Sequence, residues 1–197
     1  MLKNIAREHY REAIRMAWPA VLESVFVSLA GIIDTFMVSS MGTYAVAATG
    51  LIIQPKFLSL SFFFAINVAV SALVARRLGQ NNRRNANQVL VTALMMIVLL
   101  CVVLTIVTVI FANPFIAICG SNADTHEGAV IYFRVIQVGM IFNVLSLVIN
   151  AAQRGAGNTK IAMITNVTSS IVNIIFNYLL IDGNFGFPKW GLFGAAF

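Results

Sequence analysis

The chain has 197 residues, of which 59% are hydrophobic and only 10% charged, with a mean hydropathy of +0.88. A soluble domain carries about a quarter charged residues, so this composition excludes a soluble globular protein and defines an integral membrane protein. The net charge of +6 comes from basic residues in short clusters between apolar runs; that is the pattern of cytoplasmic loops, and no nucleic-acid partner is expected.

In chain order, residues 1–13 read as a short basic amphipathic lead-in at the cytoplasmic membrane surface, with Lys3, Arg7 and Arg11 at helical spacing. Five runs are then long enough to cross the hydrocarbon, at about 14–38, 50–75, 88–112, 130–151 and 160–181, and a sixth begins near Trp190. The first run holds Pro19, Glu23 and Asp34 and lacks a small-residue cleavage site, so it reads as an uncleaved span whose entry turn Pro19 bends or opens. Arg76, Arg77, Arg83 and Arg84 follow run 2, and Arg154 and Lys160 separate runs 4 and 5. The other loops carry no charge after run 1, and Asp124 and Glu127 between runs 3 and 4. The positive-inside rule then puts the N-terminus in the cytoplasm and Asp34 in the outer half of the membrane. The fold class is an all-α polytopic helix bundle.

Polar residues inside these runs carry the functional signal. Glu23 and Asp34 stand eleven residues apart, so on a helix they leave nearly the same face, about 16 Å apart along the axis. A charged group at mid-membrane costs at least about 2.5 kcal/mol, so this stripe should face other helices or a watery cavity. Run 5 carries Asn166, Ser170, Asn173 and Asn177 on one face, and run 4 carries Asn143, Ser146 and Asn150, with Gln137 and Arg134 nearer the outside. Asparagines at such positions serve as interhelical hydrogen-bond partners, each worth about 0.6 to 2 kcal/mol. Asp34 is different, because a carboxylate there needs a cation or a proton. Lys56, just after Pro55, either pairs with Asp34 or snorkels outward. Run 3 is free of charge and reads as the lipid-facing, packing helix, while Cys101 and Cys119 have no CxxC or histidine partner and read as packing residues.

Several segments resemble the multidrug and toxic compound extrusion (MATE) family of efflux transporters. They are Trp18-Pro19 opening run 1, Ile33-Asp34-Thr35 near its end, and Leu73-Val-Ala-Arg-Arg-Leu-Gly79 after run 2. Gln153-Arg-Gly-Ala-Gly-Asn-Thr-Lys160, the most specific match, and Asn173 through Leu180 with the following Gly186 to Ala196 segment complete the set. The resemblance implies the N-terminal lobe of a twelve-helix antiporter, truncated within its sixth helix, whose partner is a missing C-terminal lobe. It implies export of amphipathic, often cationic organic compounds across a plasma membrane of the bacterial inner type, in exchange for a proton or sodium. No other cofactor is expected.

By the same resemblance Asp34 matches a carboxylate associated with cation coupling, and Asn173 a residue of the same cluster. Asn177 stands where some subfamilies carry aspartate, which weakens a sodium site formed by Asp34, Asn173 and Asn177. Glu23, Lys56, Asn143, Asn166 and Ser170 would line the cavity. Two alternatives stay open: a lipid-linked oligosaccharide flippase of the same superfamily, which would want a more basic cavity, and a non-transporting interaction module or half-transporter. An enzyme is not expected, since no HExxH, no GxSxG and no phosphate-cradling glycine loop occurs, and His9 and His126 fall on opposite sides of the inferred membrane.

Overall fold

A computed structural model describes residues 2–183 and 186. These form six helices: α1 (Leu2–Ser39), α2 (Thr43–Gly79), α3 (Arg83–Ile110), α4 (Ala112–Ile118), α5 (Ala123–Gly155) and α6 (Thr159–Asp182). All but α4 are long and apolar enough to cross a membrane, which makes the chain a multi-pass membrane protein. With no water in the bilayer to satisfy backbone groups, the chain keeps them inside helices and confines breaks to short turns. The sixth run expected near Trp190 lies outside the described residues.

The helix bounds differ from the sequence reading in physically simple ways. The lead-in is no separate element, because α1 runs unbroken from Leu2 through Pro19. Between α3 and α5 the chain inserts α4, with Pro114 in its first turn, where a missing backbone N–H costs little. Asp124 and Glu127, expected in a loop, stand in the opening turns of α5, where acidic residues suit the positive helix end. Asn122 precedes them and donates its N–H to Thr125 Oγ1 at 3.2 Å. Gly183 closes α6 at φ 72°, a left-handed cap that glycine adopts without penalty.

The helices pack as two groups. In the first, α5 lies against α2 and α3 over a core of Phe63, Val70, Ile97, Cys101, Val144 and Val148. A second cluster, including Ala48, Ile52, Ile116 and Phe133, seats α4 at one end. Helices α2 and α5 run parallel and approach closely at both ends. A Cβ on Gly155 would collide with the Ser71 carbonyl, and one on Gly128 with the Tyr44 hydroxyl. Each pair is separated by the same number of residues, so one register serves both ends. In the second group α1 packs mainly on α6, and its contacts with α2 are sparse, as are those between α5 and α6. Helix α3 turns Met95, Leu99, Ile106 and Ile110 outward and buries Ala93, Ile97 and Cys101, as a helix with one lipid face should.

Candidate functional site

The seam between α1 and α6 carries the candidate site. Asn177 Nδ2 donates to Asp34 Oδ1 at 2.8 Å, and Asn166 Nδ2 donates to Glu23 Oε1 at 2.5 Å. Both contacts join residues 143 positions apart, so α1 and α6 run parallel. The two carboxylates are eleven residues apart on α1, and their asparagines are eleven apart on α6. Eleven residues make about three turns, so both rungs return to the same face. The seam is thus a two-rung ladder whose rungs lie about 16 Å apart along the helix axis; after the orientation expected from the sequence, the Asp34 rung is called outer and the Glu23 rung inner.

In the outer rung, Asn177 is buried and its amide nitrogen bridges Asp34 Oδ1 and Asn173 Oδ1, the latter at 3.2 Å. Asn173 and Asn177 share a face because they are four residues apart on a helix. Asp34 is half-buried and has no cation within 4.0 Å among the described residues. The ion pair with Lys56 that the sequence suggested is therefore not formed. Lys56 is exposed, yet near enough to Asp34 for the two charges to interact, as is the Tyr132 hydroxyl on α5.

The inner rung is built differently. Glu23 Oε1 accepts from Arg154 Nη2 at 2.5 Å as well as from Asn166, and Asn150 Nδ2 donates to Asn166 Oδ1 at 2.7 Å. The glutamate side chain is 12% exposed and the arginine 42%. This is the one ion pair among the described residues, and it ties α1 to the end of α5, two helices that scarcely touch elsewhere. Gly155 lets that end of α5 close on α2, and so sets where Arg154 stands.

A third polar group lies away from the seam. Gln137 is wholly buried; its Nε2 donates to Thr108 Oγ1 at 2.7 Å and Ser59 Oγ at 3.3 Å, while Thr105 Oγ1 donates to the Gln137 carbonyl at 3.2 Å. These bonds fasten α2, α3 and α5 together where a purely apolar core would leave the register free.

The structure brings together Asp34, Asn173 and Asn177, and separately Glu23 and Asn166. Ser170 bonds back to the Asn166 carbonyl at 2.9 Å and so turns into its own helix. Asn143 is exposed and joins neither rung by a hydrogen bond. Arg154 and Asn150 were not assigned to a site from sequence. Their signal is a four-residue spacing that puts both on one face of α5, once the helix is seen to reach Gly155. Gln137, to which the sequence reading gave a depth but no partners, falls within the buried stripe Val130, Phe133, Met140, Val144 and Val148, and its helical spacing to those residues was the available clue.

The MatE family model matches residues 19–179. The chain is 30% identical to a probable multidrug resistance protein, YoeA, of Bacillus subtilis, over 91% of this chain and 39% of that protein. It is 27% identical to a probable multidrug resistance protein, NorM, of Thermotoga maritima, over 98% of this chain and 42% of that one. It is also 27% identical to an FAD transporter of Shewanella oneidensis, over 94% and 41%. Among solved structures, one described as the outward-facing conformation of a multidrug resistance MATE family transporter of the MOP superfamily superposes with a TM-score of 0.84 at 28% identity, covering 94% of this chain and 40% of that one. The chain belongs to the MatE family, whose members are membrane transporters and not enzymes. It spans about two fifths of the length of the curated relatives it matches.

Proposed function

We propose that the chain supplies the N-terminal lobe of a cation-coupled antiporter that exports amphipathic, cationic organic compounds across the plasma membrane, with its N-terminus in the cytoplasm and Asp34 as the coupling carboxylate. The observation that carries this reading is the inequality of the two rungs: Glu23 has its arginine, whereas Asp34 accepts from one asparagine amide and has no cation within 4.0 Å among the described residues. An anion inside a span with no cation in direct contact is poised to accept a proton or a cation. Ionised, Asp34 attracts a cationic substrate. Neutralised by a proton or a sodium ion, it loses that attraction, and the substrate leaves. Release of the ion on the other side restores the carboxylate, while the substrate-loaded and ion-loaded forms differ in which face of the membrane they open to.

The outer rung favours a proton over sodium. A sodium ion prefers several oxygens, carboxylate among them, whereas Asn177 turns its nitrogen to both Asp34 Oδ1 and Asn173 Oδ1. Sodium would require that amide to reverse; a proton needs only an oxygen of Asp34. In this reading Asn173 and Asn177 hold the carboxylate in place, and Glu23, Lys56, Asn166 and Ser170 form the polar surroundings. The test is efflux of a fluorescent organic cation from liposomes holding a full-length transporter that includes this chain, under an imposed pH or sodium gradient. Asp34→Asn should lower gradient-driven efflux by more than about tenfold, because the intramembrane group that would carry the coupling ion no longer ionises. Efflux and ion dependence left intact in Asp34→Asn would overturn the proposal.

A further inference from the structure

The turn between α2 and α3 gathers four arginines at the end of two spans: Arg76 and Arg77 close α2, and Arg83 and Arg84 open α3. Between Asp34 and Asp124 the sequence contains no acidic residue at all. None of the four guanidinium groups has an ion-pair partner among the described residues. Arg76 and Arg77 suit the negative end of their helix. Arg83 and Arg84 do not, since they add positive charge to a helix start that is already positive and holds no acidic residue in its first turn.

The backbone there is also open to an acceptor. The turn is closed by bonds from the N–H groups of Gln80, Asn81 and Asn82 to carbonyls of α2, with Asn81 at φ 55°. The Asn82 side chain accepts from Asn85 N–H at 3.1 Å, which leaves the N–H groups of Arg83 and Arg84 uncapped among the described residues. Arg77 makes one long bond, Nη1 to Gln80 Oε1 at 3.5 Å, and its buried Nε has no acceptor. Inside-positive loops account for the presence of basic residues at such a turn. They do not account for two arginines on a helix N-terminus beside unfilled donors, an arrangement an anion resolves.

We infer that the α2–α3 turn binds the phosphodiester of an anionic membrane phospholipid. The turn caps two spans, so it stands at headgroup depth, and a cluster of four basic residues beside a span is the size that recruits acidic lipid. The phosphate oxygens would accept from the Arg83 and Arg84 N–H groups and from the guanidinium groups of Arg76, Arg83 and Arg84, all three exposed, while the acyl chains lie along the apolar faces of α2 and α3. This assignment is independent of the ion-coupling reading at Asp34.

The test is native mass spectrometry of the purified full-length protein in neutral detergent with added phosphatidylglycerol or phosphatidylcholine. Phosphatidylglycerol adducts should be retained about tenfold more than phosphatidylcholine, a conservative figure for four arginines at a headgroup. The double variant Arg83→Gln/Arg84→Gln should bring the two lipids level, while Lys160→Gln, a control in the first turn of α6, should leave the preference intact. The wild-type comparison decides the matter even if the double variant fails to fold. Equal retention of both lipids by the wild type, or an undiminished preference in the double variant, would overturn the assignment. Displacement of phosphatidylglycerol by millimolar inorganic phosphate as readily as by more lipid would also overturn it, because the site would then take a free anion.

Discussion

The two ends of the α1–α6 seam use the same pair of residue types to different effect. At the inner end a glutamate meets an asparagine and an arginine; at the outer end an aspartate meets one asparagine, itself bonded to a second, and no cation within 4.0 Å among the described residues. Asparagine can position a carboxylate, but it does not cancel its charge. The inner rung is therefore electrically complete and suited to holding α1 against α5, whereas the outer rung is incomplete and suited to exchanging a proton or cation. Compensation, more than the presence of an acidic residue, separates a structural carboxylate from a candidate working one.

The largest effect that tests this contrast is functional. In a full-length transporter Asp34→Asn should abolish gradient-driven efflux, a loss above about tenfold, and Glu23→Gln should leave an ion-dependent rate that is reduced but measurable. Next comes Gly155→Val, which forces a branched side chain into the Ser71 carbonyl and displaces Arg154. It should cost about 1 to 3 kcal/mol, visible as a lower melting temperature in detergent. Arg154→Gln should cost about 1 kcal/mol, discounted because the guanidinium is partly exposed. In a double-mutant cycle with Glu23→Gln its cost should be smaller than in the wild-type background. The smallest change is expected from Gln137→Leu, within about 1 kcal/mol, since the two side-chain bonds lost are offset by removing an amide oxygen that has no partner.

Much of the ladder was legible from the chain because its periodicity lies in the sequence. The eleven-residue step from Glu23 to Asp34 and the 4, 3, 4 spacing from Asn166 to Asn177 put each stripe on one helical face before any coordinates are considered. The spans were legible for the same reason, since apolar length is a local property. What spacing could not give was partnership. Lys56 read either as a partner of Asp34 or as a side chain snorkelling outward, and the ion pair forms instead between Glu23 and Arg154, an arginine that the sequence put in a loop. Helix α5 runs on to Gly155 and carries Arg154 into reach, and that extension depends on close packing against Ser71, a contact between segments far apart in the chain. Asn143 shows the converse: it shares a helical face with Asn150 but is exposed and bonds to neither rung, because the seam uses only the end of α5. The short α4 and the start of α5 were missed because seven residues are too few to show a helical period.

The central claim is that Asp34 exchanges the coupling ion and Glu23 does not. The most direct test is the number of protons, or sodium ions, released when a cationic substrate binds to the detergent-purified full-length transporter, measured for the wild type, Asp34→Asn and Glu23→Gln. Release that is lost in Asp34→Asn and retained in Glu23→Gln is the predicted result; release that survives in Asp34→Asn and disappears in Glu23→Gln would contradict it.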